Sequence, residues 1–335
     1  MDLLTQGLLG GALALSLASK KEVRSAAVAG FSAALLADAD IFIRASSNPL
    51  LNVEFHRHFS HALIFIPVGA LIASLLLWPL LRKRLTFKRI YCYALLGYAT
   101  AGLLDACTSY GTHLLWPFSD TRIAWSIIAI IDPVFSLLLA IALIIGFKYC
   151  KPASTRIGLT LAGAYLLLGL WQHQSALQVA TELAAQRGHE IQRIIVKPTI
   201  ANLVLWRSVY QSNERFYVDA IRVGLSQNRI YPGDSAPMFD LERDRPGLDR
   251  GSVLARDIGR FSRLASDYVI SDPVRSSVLT DVRYSMLPTG ITAMWGIDLD
   301  VASAQQHAKF EVYRDRPDDA RNLFLAMLLG RDLPD

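Results

Sequence analysis

Residues 62–81 run for twenty positions without a charged side chain. That is about the length an α-helix needs to cross the ~30 Å hydrocarbon core of a bilayer. In lipid every backbone N–H and C=O must be satisfied within the protein, which leaves helices and closed barrels. A run that is apolar on all sides, with no alternation, selects the helix. Five more apolar segments lie at about 3–19, 25–43, 90–104, 124–147 and 157–171, several of them short for a straight span. The first is short enough to insert halfway, so the count is five or six. The chain has 335 residues, 52% of them hydrophobic, but the excess stops near Gln172. Beyond it the sequence is mixed and charged for about one domain's length. The expected architecture is an α-helical membrane domain over 1–172 with five to six apolar helices. A helical linker over 173–188 follows, then a strand-rich α+β extramembrane domain over 189–335.

Charge between the segments sets an expected orientation. Lys20, Lys21 and Arg24 form one basic loop, Arg82, Lys83, Arg84, Lys88 and Arg89 a second, and Lys148, Lys151 and Arg156 a third. The intervening loops hold only Arg44, Arg57 and Arg122. Basic loops stay cytoplasmic, which puts 44–60, 109–123 and the second half on the outer side of a bacterial inner membrane. Lys20 and Lys21 follow the first apolar run instead of preceding it, so that run reads as retained and not as a signal peptide. The net charge of +5 is explained by these loops, and nucleic acid is not an expected partner. Cys92, Cys107 and Cys150 lack the paired spacing of a zinc or redox motif.

Chemistry concentrates at one face. His56, Arg57, His58 and His61 directly precede the 62–81 run, Asp38 and Asp40 end the second segment, and Asp105 ends the fourth. Carboxylates at membrane depth are expensive unless paired, and a shared cation satisfies several at once. Neutral imidazole is the commonest metal ligand, which makes the set a candidate metal site. Asp38 and Asp40, two apart, serve one site only if the helix ends or unwinds there. Otherwise either can pair with Arg44 or Arg57. Ser60 reads as an N-cap that leaves His56 in the loop and His61 in the first turn. His58 is the least constrained of the three histidines. Asp105 and Thr108 share a helix face, and Asp132 before Pro133 reads equally as a cap or as a ligand.

The second half offers strands at 203–210 and 216–223 joined by a turn at 211–215, and period-two patterns at 278–284 and 295–301. An antiparallel sheet is the economical reading. Residues 229–251, dense in Pro, Gly and Asp, read as a long loop, 253–267 as a helix and 317–330 as a packing helix. Asp281, Asp298 and Asp300 are a rival acidic set, but Arg283 alternates in phase with Asp281 and favours a solvated or cross-strand ion-paired face. No phosphate-binding glycine loop or Gly-x-Ser-x-Gly elbow is present, which argues against nucleotide hydrolysis and serine chemistry.

Asp2-Leu-Leu-Thr-Gln-Gly-Leu-Leu-Gly-Gly11, Ala37-Asp-Ala-Asp40, His56-Arg-His-Phe-Ser-His-Ala-Leu63, Leu104-Asp-Ala-Cys-Thr-Ser-Tyr-Gly-Thr112 and Trp116-Pro-Phe-Ser119 together resemble the YdjM-like family. These are bacterial inner-membrane proteins described as metal-dependent hydrolases. The resemblance covers most of the membrane half and implies a metal site. Three positions depart from the family pattern. The histidine that members commonly carry four residues before the aspartate is Ala101 here, the serine after the second histidine is Ala62, and the histidine after the N-terminal threonine is Gln6. Positions 101 and 105 share a helix face, so Ala101→His is expected to restore a ligand.

The mixed imidazole and carboxylate set suits a divalent metal, zinc first, with manganese or iron as alternatives. Such an ion polarises a phosphoryl or carbonyl oxygen and brings water to a pKa of about 7. His56, His61 and Asp105 are the first-choice ligands and Asp38 supports the metal set. Asp40 is a further ligand or a water-orienting base, and Arg57 an anion clamp. A site opening at the membrane surface suits an amphipathic, lipid-like substrate such as a phospholipid or lipid phosphate. The competing reading is a non-catalytic membrane scaffold whose metal or ion pairs staple helix ends while the outer domain binds a protein partner of unknown identity.

Overall fold

The computed structural model describes residues 1–45, 47–224, 227–313 and 319–333. The chain divides into two compact units. The first comprises Met1–Ile43, Phe55–Trp171 and Ile200–Leu203, and the second Arg44–Glu54, Gln172–Thr199 and the residues from Val204 onward.

The first unit is helical: α1 (Leu3–Ser16), α2 (Val23–Leu36), then, after the short α3 (Leu51–Phe55) of the second unit, α4 (Ile66–Leu81), α5 (Phe87–Ala106), α6 (Pro133–Tyr149) and the start of α7 (Pro152–Gln186). Among the described residues three helical stretches are long and apolar enough to cross a membrane: Val23–Phe42, Leu63–Leu81 and Pro152–Gln186. Leu3–Ser16 and Pro133–Tyr149 are shorter apolar helices. The 124–147 segment is helical only from Pro133, where Asp132 caps and the proline occupies the first turn. The segment at 157–171 and the expected linker are one unbroken helix of 35 residues. No proline or glycine cap interrupts it between Pro152 and Gln186, so propagation continues. Outward faces of α4, α6 and α7 carry exposed Leu76, Ile144 and Leu167, as lipid-facing surfaces do.

Small residues draw α1, α2 and α5 together. A Cβ on Gly97 of α5 would run into the Gly30 carbonyl oxygen of α2, and one on Gly30 into that of Gly10 on α1. Without side chains at these points the backbones meet directly, which suits lipid, where close packing replaces the hydrophobic drive of water. The consequence is that the C-terminal ends of α2 and α5 are held in register at the same level.

The second unit contains two four-stranded antiparallel meanders. The first has β1 (Arg193–Pro198), β2 (Leu205–Ser212), β3 (Arg215–Arg222) and β4 (Arg229–Pro237) in that order. After α8 (Leu241–Asp244) and α9 (Val253–Leu264), the second has β5 (Val269–Ser271), β6 (Val278–Asp281), β7 (Trp295–Asp298) and β8 (Lys309–Val312). The β2–β3 hairpin closes tightly, because Asn213 and Glu214 both take positive φ, 48° and 58°, in a two-residue turn. The stretch read as a loop at 229–251 begins instead with β4. Pro232 and Pro237 fit there because β4 is an edge strand, and a register shift at Tyr217/Asp219 absorbs the irregularity. The 278–284 pattern stops as a strand at Asp281, where the side chain accepts from the Arg283 backbone (3.0 Å) and guanidinium (2.6 Å). That pair is buried, not solvated. The last helix, α10, spans Ala320–Leu329, and the beginning of the expected 317–330 helix lies outside the described residues.

Within this unit residues 50–54 are firmly held. Leu50 is fully buried with Leu254, Ile258 and Phe261. Arg260 binds both oxygens of Glu54 at 2.6 Å, and Asp257 accepts from Arg260 and His307, each at 2.8 Å.

Candidate metal centre

The α-helix of α2 gives way at Ala37 to a 3-10 helix, Ala37–Phe42, that carries Asp38 and Asp40. Two residues apart, side chains point about 160° away from each other on an α-helix and about 120° on a 3-10 helix. The tightening lets both carboxylates turn toward one side. On the other strand of the chain, Arg57 adopts a left-handed conformation, φ 59°, between α3 and a 3-10 turn, Phe59–His61. A non-glycine residue in that region is strained and is kept only where its surroundings hold it. Here its N–H donates to Asp40 Oδ2 (2.9 Å), and its carbonyl accepts from the His113 N–H (3.1 Å). Asp105 projects from the last turn of α5.

These elements bring Asp38, Asp40, His56, His61 and Asp105 together. His61 is the centre: its Nε2 lies 3.2 Å from Asp105 Oδ2 and 3.5 Å from Asp38 Oδ1, while its Nδ1 lies 3.0 Å from Ser60 Oγ and 3.3 Å from Asp40 Oδ2. Asp40 also meets His56 Nδ1 at 3.1 Å and accepts from Ser60 Oγ at 2.6 Å. Asp38, Asp40, His61 and Asp105 are all buried, whereas the His56 side chain is 27% exposed and marks the open side.

The fit to a cation rests on two atoms. His61 Nε2 and Asp38 Oδ2 are buried and make no hydrogen bond, although both sit among polar groups. Buried polar atoms are normally satisfied, and orphans of this kind in one spot call for an ion. With Nδ1 supplied with oxygen acceptors, the imidazole can hold its proton there and present Nε2 to a cation, the carboxylate–histidine–metal arrangement. Ligands about 2.0–2.1 Å from a tetrahedral zinc ion lie roughly 3.3 Å from one another. The 3.2 and 3.5 Å separations around His61 Nε2 match that spacing.

Arg57 is placed at the cluster but turned inward. Its Nε lies 3.1 Å from Asp105 Oδ2, its Nη1 donates to Thr108 Oγ1 at 3.1 Å, and the residue is 4% exposed. It is thus bound to an internal carboxylate. Gln6 donates to Asp105 Oδ2 at 3.1 Å, and the Met1 amino group contacts Oδ1. Thr108 donates to the Asp105 carbonyl at 2.8 Å.

Other residues fall elsewhere. The His58 ring packs at a tilt against His113, centroids 4.5 Å apart, and edge-on to Trp116. Burial, helped by the nearby Arg122 charge, pushes His113 down to about 4, so its ring stays neutral. Asp132 is a cap: it accepts from Phe135 N (3.0 Å) and from the Tyr165 hydroxyl (2.9 Å). Ser60 is not an N-cap, since its hydroxyl is spent on Asp40 and the turn has no side-chain cap. Tyr98, which sequence reasoning did not pick out, donates to the Ser60 carbonyl at 2.8 Å. Its position seven residues before Asp105, on the same helix face, was the available signal.

Ala101 does not present a vacancy beside Asp105. It is fully buried among Ala33, Ala37, Ala70, Ala73, Ala94 and Tyr98. Inserting an imidazole into close packing costs about 1–3 kcal/mol. Ala101→His is therefore expected to lower the thermal midpoint of the detergent-purified protein without raising its metal content. A folded variant that binds more metal would show that the alanine cluster yields.

Residues 1–176 match a family model described as "YdjM inner membrane protein". Over 183 residues the chain is 26% identical to "Uncharacterized protein YfhP" of Bacillus subtilis (strain 168), a match covering 54% of this chain and 54% of that protein. The chain thus spans about half the length of this curated relative. No solved structure matches it.

Proposed function

Because the chain belongs to the YdjM inner membrane protein family, we propose that its membrane half is a metal-dependent hydrolase acting on an ester of an amphipathic, lipid-like substrate. The observation that carries this reading is the pair of orphaned buried atoms, His61 Nε2 and Asp38 Oδ2, inside the Asp38–His61–Asp105 group. A divalent cation such as zinc supplies Lewis acidity at a phosphoryl or carbonyl oxygen and lowers the pKa of water. Asp38, His61 and Asp105 hold the ion. Asp40 orients His61 through Nδ1 and meets His56 on the open side. Arg57 braces Asp105, since its guanidinium is engaged inside the cluster.

The basic loops assign the cluster, the 109–123 loop and the second half to the outer, periplasmic side, where lipid head groups are accessible. A non-catalytic scaffold is the second reading, favoured by one observation: Arg57 already neutralises much of the Asp105 charge.

The test is to purify the full chain in mild detergent, measure bound metal, and follow hydrolysis of a lipid phosphoester and a lipid carboxylester before and after chelation. Stoichiometric metal and a turnover abolished by chelator and restored by Zn²⁺ or Mn²⁺ support the hydrolase. Metal without turnover on either ester class supports the scaffold, and absence of metal overturns both metal readings. Asp120→Cys in the same protein, labelled by an impermeant thiol reagent in intact spheroplasts, checks the orientation.

A further inference from the structure

The donor groups at this centre form two sets that share one residue. Asp38, His61 and Asp105 make one set and Asp38, Asp40 and His56 the other, each with ligand atoms within 4.8 Å of one another. Asp38 Oδ1 faces His61 Nε2 at 3.5 Å. Its Oδ2 is buried without a hydrogen-bond partner, in a residue only 7% exposed. A carboxylate common to both donor sets, with one oxygen facing His61 and the other buried and unpartnered, has the form of a bridge between two ions.

We propose that the cluster holds two divalent cations bridged by Asp38, and that the ester it takes is a phosphoester; this rests on the metal-dependent reading above. The inner position is enclosed by His61 and Asp105, which are 2% and 0% exposed. The outer one lies with His56 on the open side. Charge decides the substrate class. Against Asp38, Asp40 and Asp105 stands Arg57, so one divalent ion neutralises the cluster and a second makes it positive. A positive centre has a place for an anionic phosphoester, which two ions about 3.5–4 Å apart clamp through its oxygens. A neutral carboxylester gains nothing from the second charge.

The experiment is to strip the detergent-purified full chain with chelator and titrate it with Mn²⁺, counting bound ions by electron paramagnetic resonance. Two equivalents with an exchange-coupled signal are expected, the second binding at least tenfold more weakly than the first. His56→Ala and His56→Gln should each retain one equivalent and lose the coupling. Inorganic phosphate should perturb the wild-type spectrum but not that of the His56 variants. One equivalent in the wild type, or two uncoupled equivalents that survive in both variants, overturns the bridge while leaving a single-metal hydrolase standing. No bound Mn²⁺ or Zn²⁺ overturns the metal reading itself, and the bridge with it.

Discussion

His61→Ala should lower the affinity of the centre for zinc by roughly a hundredfold or more, the largest loss of any single histidine replacement. Supporting residues around a metal ligand are worth about ten- to hundredfold, and His61 is itself the donor. Its Nε2 is the nitrogen placed between Asp105 and Asp38, so its removal leaves that set with carboxylates that repel one another and no nitrogen donor. Ser60→Ala removes one of the oxygens around Nδ1 and should cost about tenfold. His58→Ala is the control, because its ring packs against His113 and Trp116 and not on the carboxylates. Competition with a chromophoric chelator measures all three. Equal affinity in His61→Ala and the wild type would remove His61 from the coordination sphere.

Arg57→Ala should destabilise the membrane unit by about 3–5 kcal/mol, the cost of leaving a buried charge without its partner. Asp105 is fully buried and depends on the guanidinium at 3.1 Å, and Thr108 loses its donor as well. Arg57→Lys should recover less than half of this, because one ammonium cannot reach both partners as the planar fork does. The deficit should shrink when metal is saturating, since a cation at Asp105 takes over part of the compensation. Thermal midpoints of the two variants with and without Zn²⁺ provide the measurement. A midpoint unchanged by Arg57→Ala would mean that Asp105 is not charged in the folded protein.

Much of the fold was legible where a signal is local. The apolar run at 62–81 became Leu63–Leu81, and the Asp132-Pro133 pair began α6 as a cap and first-turn proline should. The β2–β3 hairpin was readable from its β-branched and aromatic residues, although its turn is two residues and not five. β4 was missed because proline and glycine density signals a loop unless the strand is known to lie at an edge, and edge position is a property of the sheet. The unbroken α7 was divided in two because hydropathy changes at Gln172 while helix propensity does not.

At the site, residue chemistry singled out Asp38, Asp40, His56, Arg57, His61 and Asp105 without saying which would face which. Spacing alone stated the condition on Asp38 and Asp40, that the helix must unwind, and the 3-10 turn at 37–42 meets it. It ranked His61 above His58 through a Ser60 N-cap, whereas the Ser60 hydroxyl goes to Asp40 and the turn has no side-chain cap. It allowed a histidine at 101 by helix periodicity, whereas the neighbours of Ala101 come from α2 and α4, which periodicity within α5 does not see. The sequence by itself determined that the first half is built of bilayer-compatible helices and that its costly polar residues gather at the helix ends. Tertiary structure alone decided that Arg57 turns inward to Asp105, that Ser60 serves Asp40, and that Asp38 keeps a buried oxygen unpartnered. The physical reason is range: periodicity and capping act within a few residues, while these contacts depend on α2 and α5 meeting at Gly30 and Gly97.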